Sequence, residues 1–370
     1  MRTQTATLPG DSPGQTRTLT RHVWGTPGAR PKVHLQAALH ADEMPPVLVA
    51  QHLMDLLDAA EDAGQITGEI AVVPLANPIG FAQWIAHKPQ GRQELESLEN
   101  PNRHFPDLAA LAAPHLKDRL TDDATGNVAL IRETFLRCLA DLRPKTDLHA
   151  LRRQLLLWSI DADVMLDLHC DHHATLHVYA SPAQPHTTSL LAQSTGATLA
   201  LIEEVSGGHA CDEAHTAPWA ALARAYPDAP IPPACFSATL EYRGQLDVTD
   251  AQARDDACNL MAFLGAIGAL TRQPPPRHPD CPHLPLKGTV EAFAPAGGVV
   301  VWHRAPGDTV KKGDILADVI DPVTRHRHPV PAPIAGHLYR IELWRSCLRG
   351  QGLAHVAGPD PIRSGDLLSD

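Results

Sequence analysis

The sequence predicts an α/β domain built on a largely parallel sheet, followed by a small β-rich domain. Three observations carry this. Apolar runs of strand length alternate with amphipathic helical patterns through residue 273. Six prolines then fall between Arg272 and Gly288, which excludes helix and sheet interior alike. Beyond them "APAGGVVVWHRAPGDTVKKGDILADV" is echoed by "APIAGHLYRIELWRSCLRGQGLAHVA", an internal repeat of two β-rich halves. The boundaries are read as 1–273 for the α/β domain, 274–285 for a proline-rich linker and 286–370 for the β-rich domain.

Taken in order, "TRTLTRHVWG" and "KVHLQAALH" read as successive strands. "PPVLVAQHLMDLLDAAEDAG" has the apolar spacing of an amphipathic helix, with Pro46 in its first turn and Gly64 after its end. "GEIAVVPLANPIG" is a strand entering a turn, and "ADVMLDLHC" is a buried strand that finishes in histidine. "ATLALIEEV" and "ACFSATLEYRG" are further strands. "TDAQARDDACNLMAFLGAIGAL" is a helix with Thr249 or Asp250 as its cap. In open α/β sheets ligands gather at the carboxyl ends of the strands, and His40, His169 and Glu241 fall at or near such ends. The β-rich halves resemble a biotinyl/lipoyl-type barrel, but a carrier needs a lysine on the hairpin between them. "VIDPVTRHRHPVPAP" has none, and the last lysine of the chain is Lys312.

The formal charge of −11 and the scattered aromatics leave neither a basic stripe nor a stacking surface for nucleic acid. The amino-terminal stretch lacks an apolar signal segment and no run reaches membrane-spanning length, so a cytoplasmic protein without a membrane partner is expected. Seven widely spaced cysteines, with no C-x-x-C pair, argue for reduced thiols rather than disulfides or a zinc knuckle. The 22 histidines point toward metal or proton chemistry.

A catalytic zinc site commonly takes two histidines and one glutamate, two of them from one short segment and the third from a distant strand, with one position left open. His40 and Glu43, in "LHADEMPP", offer the near pair, and His169, at the end of "DVMLDLHC", the distant one. On spacing alone H-x-x-E is more often a surface hydrogen-bonding pair than a metal site. His172, His173 and His177 follow closely and read as pocket-lining residues, ligands of a second metal, or polar loop residues. Asp167 could orient His169, as ligating imidazoles commonly need, but it is read as a strand neighbour pointing to the opposite face and as structural. Arg243, two residues beyond Glu241, is placed on the same strand face and could contact an anionic substrate or equally partner Glu241 and tune its charge.

"LHADEMPP", "NPNRHFP", "DVMLDLHCD" and "ATLEYRGQLDVTD" occur in this order, and together they resemble the succinylglutamate desuccinylase/aspartoacylase family of the zinc-carboxypeptidase superfamily. The resemblance covers most of residues 30–270 and implies a mixed, mainly parallel eight-stranded sheet flanked by helices. It implies one zinc per chain on His40, Glu43 and His169, and Glu241 as general base toward a metal-activated water. It also implies a substrate carboxylate gripped by Asn102 and Arg103, and a carbonyl polarised by Arg92. One departure is Ala41, where the family has glycine between the histidine and the acidic pair. The expected activity is a zinc-dependent amidohydrolase acting on linear amides, a deacylase of small N-acyl amino acids or related N-acyl amines. The family also implies a homo-oligomer. A metallocarboxypeptidase trimming peptide C-termini is the alternative enzyme, and a non-catalytic metal- or ligand-binding protein is the alternative outside enzymes.

Overall fold

The computed structural model describes residues 1–10, 12–271, 278–365 and 367. Residues 274–277, the first part of the proline-rich linker, lie outside the described residues. The chain begins with an antiparallel pair, β1 (Arg2–Leu8) and β2 (Arg17–Gly25), of which β1 is not among the strands read from the sequence. A parallel strand–helix–strand unit follows: β3 (Lys32–Ala37), α1 (Pro45–Asp62) and β4 (Glu69–Val73). Pro45 and Pro46 occupy the first turn of α1, where a missing N–H costs nothing. Its buried Val49, Ala50, Leu53, Leu57 and Ala60 recur at the spacing of one helical face.

A short helix α2 (Pro78–Phe81) and a small hairpin, β5 (Trp84–Ile85) and β6 (Lys88–Pro89), lead into α3 (Leu108–Leu116), α4 (Ala124–Asp141) and α5 (Asp147–Ser159). Next come β7 (Val164–Asp171), β8 (His173–Ala174), β9 (His177–Ala180), α6 (Pro185–Thr195) and β10 (Leu199–Ile202). The α/β part closes with α7 (Cys211–Ala225), β11 (Phe236–Gly244), α8 (Asp250–Ala266) and β12 (His283–Pro285). Thr249 caps α8, its hydroxyl accepting from the Gln252 N–H.

The large sheet has nine strands in the order β1-β2-β4-β3-β7-β11-β9-β10-β12, one more than the eight implied. Most neighbouring strands run parallel; β1–β2, β2–β4 and β9–β11 are the antiparallel pairs. β12 is drawn from the linker region and paired parallel to β10 at the sheet edge. Its Pro285 lacks an N–H, a lack that only an edge strand tolerates. β7 is buried along almost its whole length, which is why it reads as a continuous apolar run. One face of the sheet packs against α1, α6 and α8, the other against α3, α4, α5 and α7.

The β-rich tail comprises β13 (Thr289–Phe293), β14 (Gly298–Trp302), β15 (Thr309–Val310), β16 (Ile315–Ile320), β17 (Arg327–Pro331), β18 (Gly336–Ile341), β19 (Ser346–Cys347) and β20 (Gly352–Ala357). Two antiparallel sheets, β13-β20-β18-β15 and β17-β16-β14-β19, share a core that includes Leu316, Val319, Val330, Leu338 and Val356. The tail does not hang free. β18 pairs with β8, setting Arg340 opposite Ala174 just beyond the end of β7.

Candidate metal centre and substrate cleft

β3 carries its chain into the site through Ala38, which has φ of 59°, a left-handed conformation unusual for a residue with a Cβ. A turn follows in which the Glu43 N–H donates to the His40 carbonyl at 3.2 Å, folding the two side chains together. The turn is held from outside: the Asn77 amide donates to the Leu39 carbonyl at 3.0 Å and the Ala41 N–H donates to the Gly91 carbonyl at 3.0 Å. Gly91 must be glycine here, since a Cβ would stand 2.2 Å from the Asp42 nitrogen. Ala41 keeps negative φ, so the departure from the family's glycine costs no strain at that position.

The structure brings His40, Glu43 and His169 together, their candidate ligand atoms all within 4.8 Å of one another and all three residues buried. Glu43 spans the two rings, Oε1 lying 3.0 Å from His40 Nδ1 and Oε2 2.9 Å from His169 Nδ1. The far nitrogens are also held. His40 Nε2–H donates to Asn100 Oδ1 at 2.9 Å, and that same oxygen accepts the Asn102 backbone N–H at 2.9 Å. The second bond fixes which end of the amide faces His40, so Nε2 bears the proton and Nδ1 presents a lone pair. His169 Nε2 lies 3.0 Å from Asp167 Oδ2, a close charge contact off the line of a straight hydrogen bond. This corrects the reading of Asp167: residues two apart on a strand share a face, and its carboxylate stands beside the imidazole.

This donor set fits a divalent cation. A neutral Nδ1 facing a carboxylate oxygen at hydrogen-bond distance sets lone pair against lone pair unless positive charge lies between them. Burial, followed by the positive charge of Arg92, lowers the His40 pKa to about 4, so the ring is neutral near neutral pH. Burial opposes charge on Glu43, yet His169 and His40 outweigh it and hold its pKa well below the ordinary value. Burial likewise opposes charge on His169, but Asp167 and Glu43 prevail and raise its pKa well above the ordinary value. Arg92 Nη1 donates to both His40 Nδ1 and Glu43 Oε1 at 3.3 Å, while the Arg92 side chain stays 47% exposed.

Glu241 reaches the same place from β11, where the parallel ladder sets it directly beside His169 on β7. Burial and then the Glu43 charge push its pKa well above the ordinary carboxylate value. Asn102 Oδ1 accepts the Cys211 N–H at 2.8 Å, capping α7 from outside the helix. Arg103 is buried, its Nη1 donating to the Asn102 carbonyl at 2.7 Å, and it passes so close to Gly208 that a Cβ there would lie 2.5 Å from Arg103 Cδ. His40, Arg92, Asn102, Arg103, His169 and Glu241 all line one cleft.

Arg243 is not in it. The β7–β11 register shifts between Glu241 and Gly244, and Arg243 takes φ of 59°, so the alternation that would keep it beside Glu241 ends there. Its guanidinium pairs instead with Asp256 on α8. His172 pairs with Glu342 of the tail at 3.1 Å, His173 sits in β8, and His177 is buried, donating from Nδ1 to the Thr175 carbonyl at 2.8 Å. None of these three lines the cleft, and among the described residues they form no ligand set.

Among the residues that escaped the sequence reading are Asn100, which holds His40, and Asp171, Asp212 and Arg340, which line the cleft. Asn100 is the first asparagine of "NPNR", and its place in that quoted motif was a usable signal. Asp171, Asp212 and Arg340 had none. Arg340 enters from the tail, its Nε donating to Asp171 Oδ1 at 2.7 Å. Burial, then Glu213 and Asp167, raises the Asp212 pKa to about 7.

Fold and site define an α/β protein with a two-histidine, one-glutamate constellation at the carboxyl ends of a mainly parallel sheet, an arrangement suited to metal-assisted hydrolysis. The family model for the succinylglutamate desuccinylase/aspartoacylase catalytic domain matches residues 29–223, more than half of the chain. The chain belongs to this family of deacylases. Its fold is shared by a protein of Shewanella amazonensis SB2B assigned to the same family, 24% identical, with a TM-score of 0.83 over 96% of this chain and 98% of that one. A counterpart from Shewanella frigidimarina NCIMB 400 is 23% identical, with a TM-score of 0.83 over 98% and 99%. The product-bound ectoine utilization protein EutE (DoeB) of Ruegeria pomeroyi is 18% identical, with a TM-score of 0.61 over 92% and 89%. No curated protein matches the sequence.

Proposed function

We propose that this protein is a zinc-dependent deacylase that hydrolyses the amide bond of a small N-acyl amino acid. The observation that carries the reading is the meeting of His40 Nδ1, both Glu43 oxygens and His169 Nδ1 at one point, with Glu241 in register beside it. His40, Glu43 and His169 would hold one zinc ion per chain, which supplies a Lewis acid for the carbonyl and acidity for an attacking water. Glu241 takes a proton from the attacking water and returns it to the departing amine. A neighbouring cation favours its carboxylate form, offsetting the burial that otherwise holds it protonated. Arg92, beside His40 and Glu43, stabilises negative charge developing on the carbonyl oxygen. Arg103 and the Asn102 amide bind and orient the substrate carboxylate, the guanidinium supplying positive charge and N–H donors. Arg340 extends from the tail into the cleft and narrows it, which favours small acyl amino acids over peptide C-termini.

Metal analysis and a hydrolysis screen test this. The purified protein should carry about one zinc ion per chain, and His40→Ala and His169→Ala should lose both metal and turnover. Glu241→Ala should keep the metal and lose turnover. Unchanged zinc content in both histidine variants would remove the ligand assignment. Cleavage of peptides in preference to N-acyl amino acids would make the protein a carboxypeptidase.

A further inference from the structure

A second recess opens off the cleft. It is walled by Trp219, Ala220, Ala223, Ile231 and Pro233. Ser181, Glu204, Thr216 and Ser237 line both spaces, so the two are continuous. The character changes along the way. The cleft holds Arg92, Arg103, Arg340 and several carboxylates, whereas among the described residues the one charged group at the recess, Glu204, is already paired with Arg224.

Two elements run from one space to the other. On β11, Glu241, Thr239 and Ser237 alternate along one face, Glu241 at the metal end and Ser237 at the recess. Four residues of strand span roughly 13 Å. On α7, Cys211 donates to Asn102 at the carboxylate-binding end, and Trp219 stands eight residues further along at the recess, roughly 12 Å down the helix axis. The metal ligands, Glu241 and the carboxylate-binding residues therefore lie toward one end of these two elements, and the apolar recess lies toward the other.

From this geometry we infer that the recess receives the acyl arm of the substrate, and that the substrates are N-acyl amino acids whose acyl group is extended and apolar, rather than acetyl or dicarboxylic. The inference rests on the deacylase reading, which assigns the carboxylate of the amino-acid half to Asn102 and Arg103. The acyl half, which those residues do not hold, then has Thr239 and Ser237 as its path into the recess, where the charged group among the described lining residues, Glu204, is already paired. Trp219 forms a rigid wall there, buried and set edge-on against Phe135 with ring centroids 5.6 Å apart.

The test uses one amino acid carrying acetyl, butanoyl, hexanoyl, octanoyl or succinyl groups. Affinity is measured calorimetrically on zinc-loaded Glu241→Gln, so that binding is read without turnover. Each added methylene should tighten binding about three- to fourfold until the recess is full, and succinyl should bind more weakly than butanoyl. Ala220→Trp, which fills the recess, should flatten the series, while Ala220→Ser, which leaves room, should keep it. A flat series in the parent Glu241→Gln protein, or succinyl binding more tightly than butanoyl, would overturn the inference. Turnover by the wild-type enzyme separates the two readings: cleavage of the acetyl compound with a flat binding series sinks the recess alone. Failure to cleave any member, with a graded binding series, sinks the deacylase activity and leaves the recess as an acyl-binding site.

Discussion

Replacing Asn100 with leucine should loosen the metal centre without touching a ligand. Asn100 is 2% exposed, and its Oδ1 accepts from His40 Nε2 and from the Asn102 N–H, each at 2.9 Å. Leucine has nearly the same volume but removes both acceptors, leaving two buried donors without partners. At about 1 kcal/mol or more for each donor so stranded, folding stability should fall by about 2–3 kcal/mol. Metal affinity should fall further, because the Asn100 oxygen holds the proton on Nε2 and so keeps the Nδ1 lone pair turned toward Glu43. Losing such an outer hydrogen bond typically weakens binding about 10- to 100-fold, or about 1.4–2.7 kcal/mol. Asn100→Asp retains an acceptor for both donors and should recover most of the affinity. Zinc competition against a chromophoric chelator, with urea unfolding of the same samples, reads both quantities. Wild-type zinc affinity in the leucine variant, or equal impairment in leucine and aspartate variants, would refute the orienting role.

Asp167→Asn should also weaken zinc binding, about tenfold by the same reasoning, because it removes the charge beside His169 Nε2 while the Gln36 amide keeps its contact with Oδ1 at 3.1 Å; unchanged affinity would return Asp167 to a purely structural role. Arg243→Ala should leave KM unchanged and lower stability by about 1–3 kcal/mol, since Asp256, whose pKa burial already raises, loses its partner; a raised KM for an anionic substrate would place Arg243 back in the cleft. His215 is buried, with Nδ1–H donating to the Cys211 carbonyl and Nε2 facing Ser159 Oγ, each at 2.7 Å, and burial lowers its pKa to about 4. Below an ordinary pKa near 6.5, the unfolded chain gains a proton that the native ring refuses until about pH 4. Its contribution is therefore intact above about pH 6.5 and is lost as pH falls toward 4, by up to about 3 kcal/mol. Urea unfolding across this range should show a shallower acid decline for His215→Gln; parallel curves would show that His215 does not titrate in this window.

What could be read from the sequence and what could not differ in where the ladder is regular. β3 and β7 announced themselves as apolar runs, and a polar side chain at the end of a buried strand is informative because little else would place it there. The partner of His40 came from 60 residues away in a loop, where no periodicity constrains which side chain turns inward. Asp167 shows the period-two rule succeeding when applied as spacing: two residues apart on an unbroken strand means the same face, hence the carboxylate beside His169. Arg243 shows the same rule failing at the same spacing, because the register shift after Glu241 and the left-handed backbone at Arg243 end the alternation within two residues. The failure has a physical cause shared with the site itself. Strands lose their neighbours at the sheet's carboxyl end, so the backbone there is free to turn; that freedom lets β3 swing His40 and Glu43 together through Ala38, and it carries Arg243 off to Asp256.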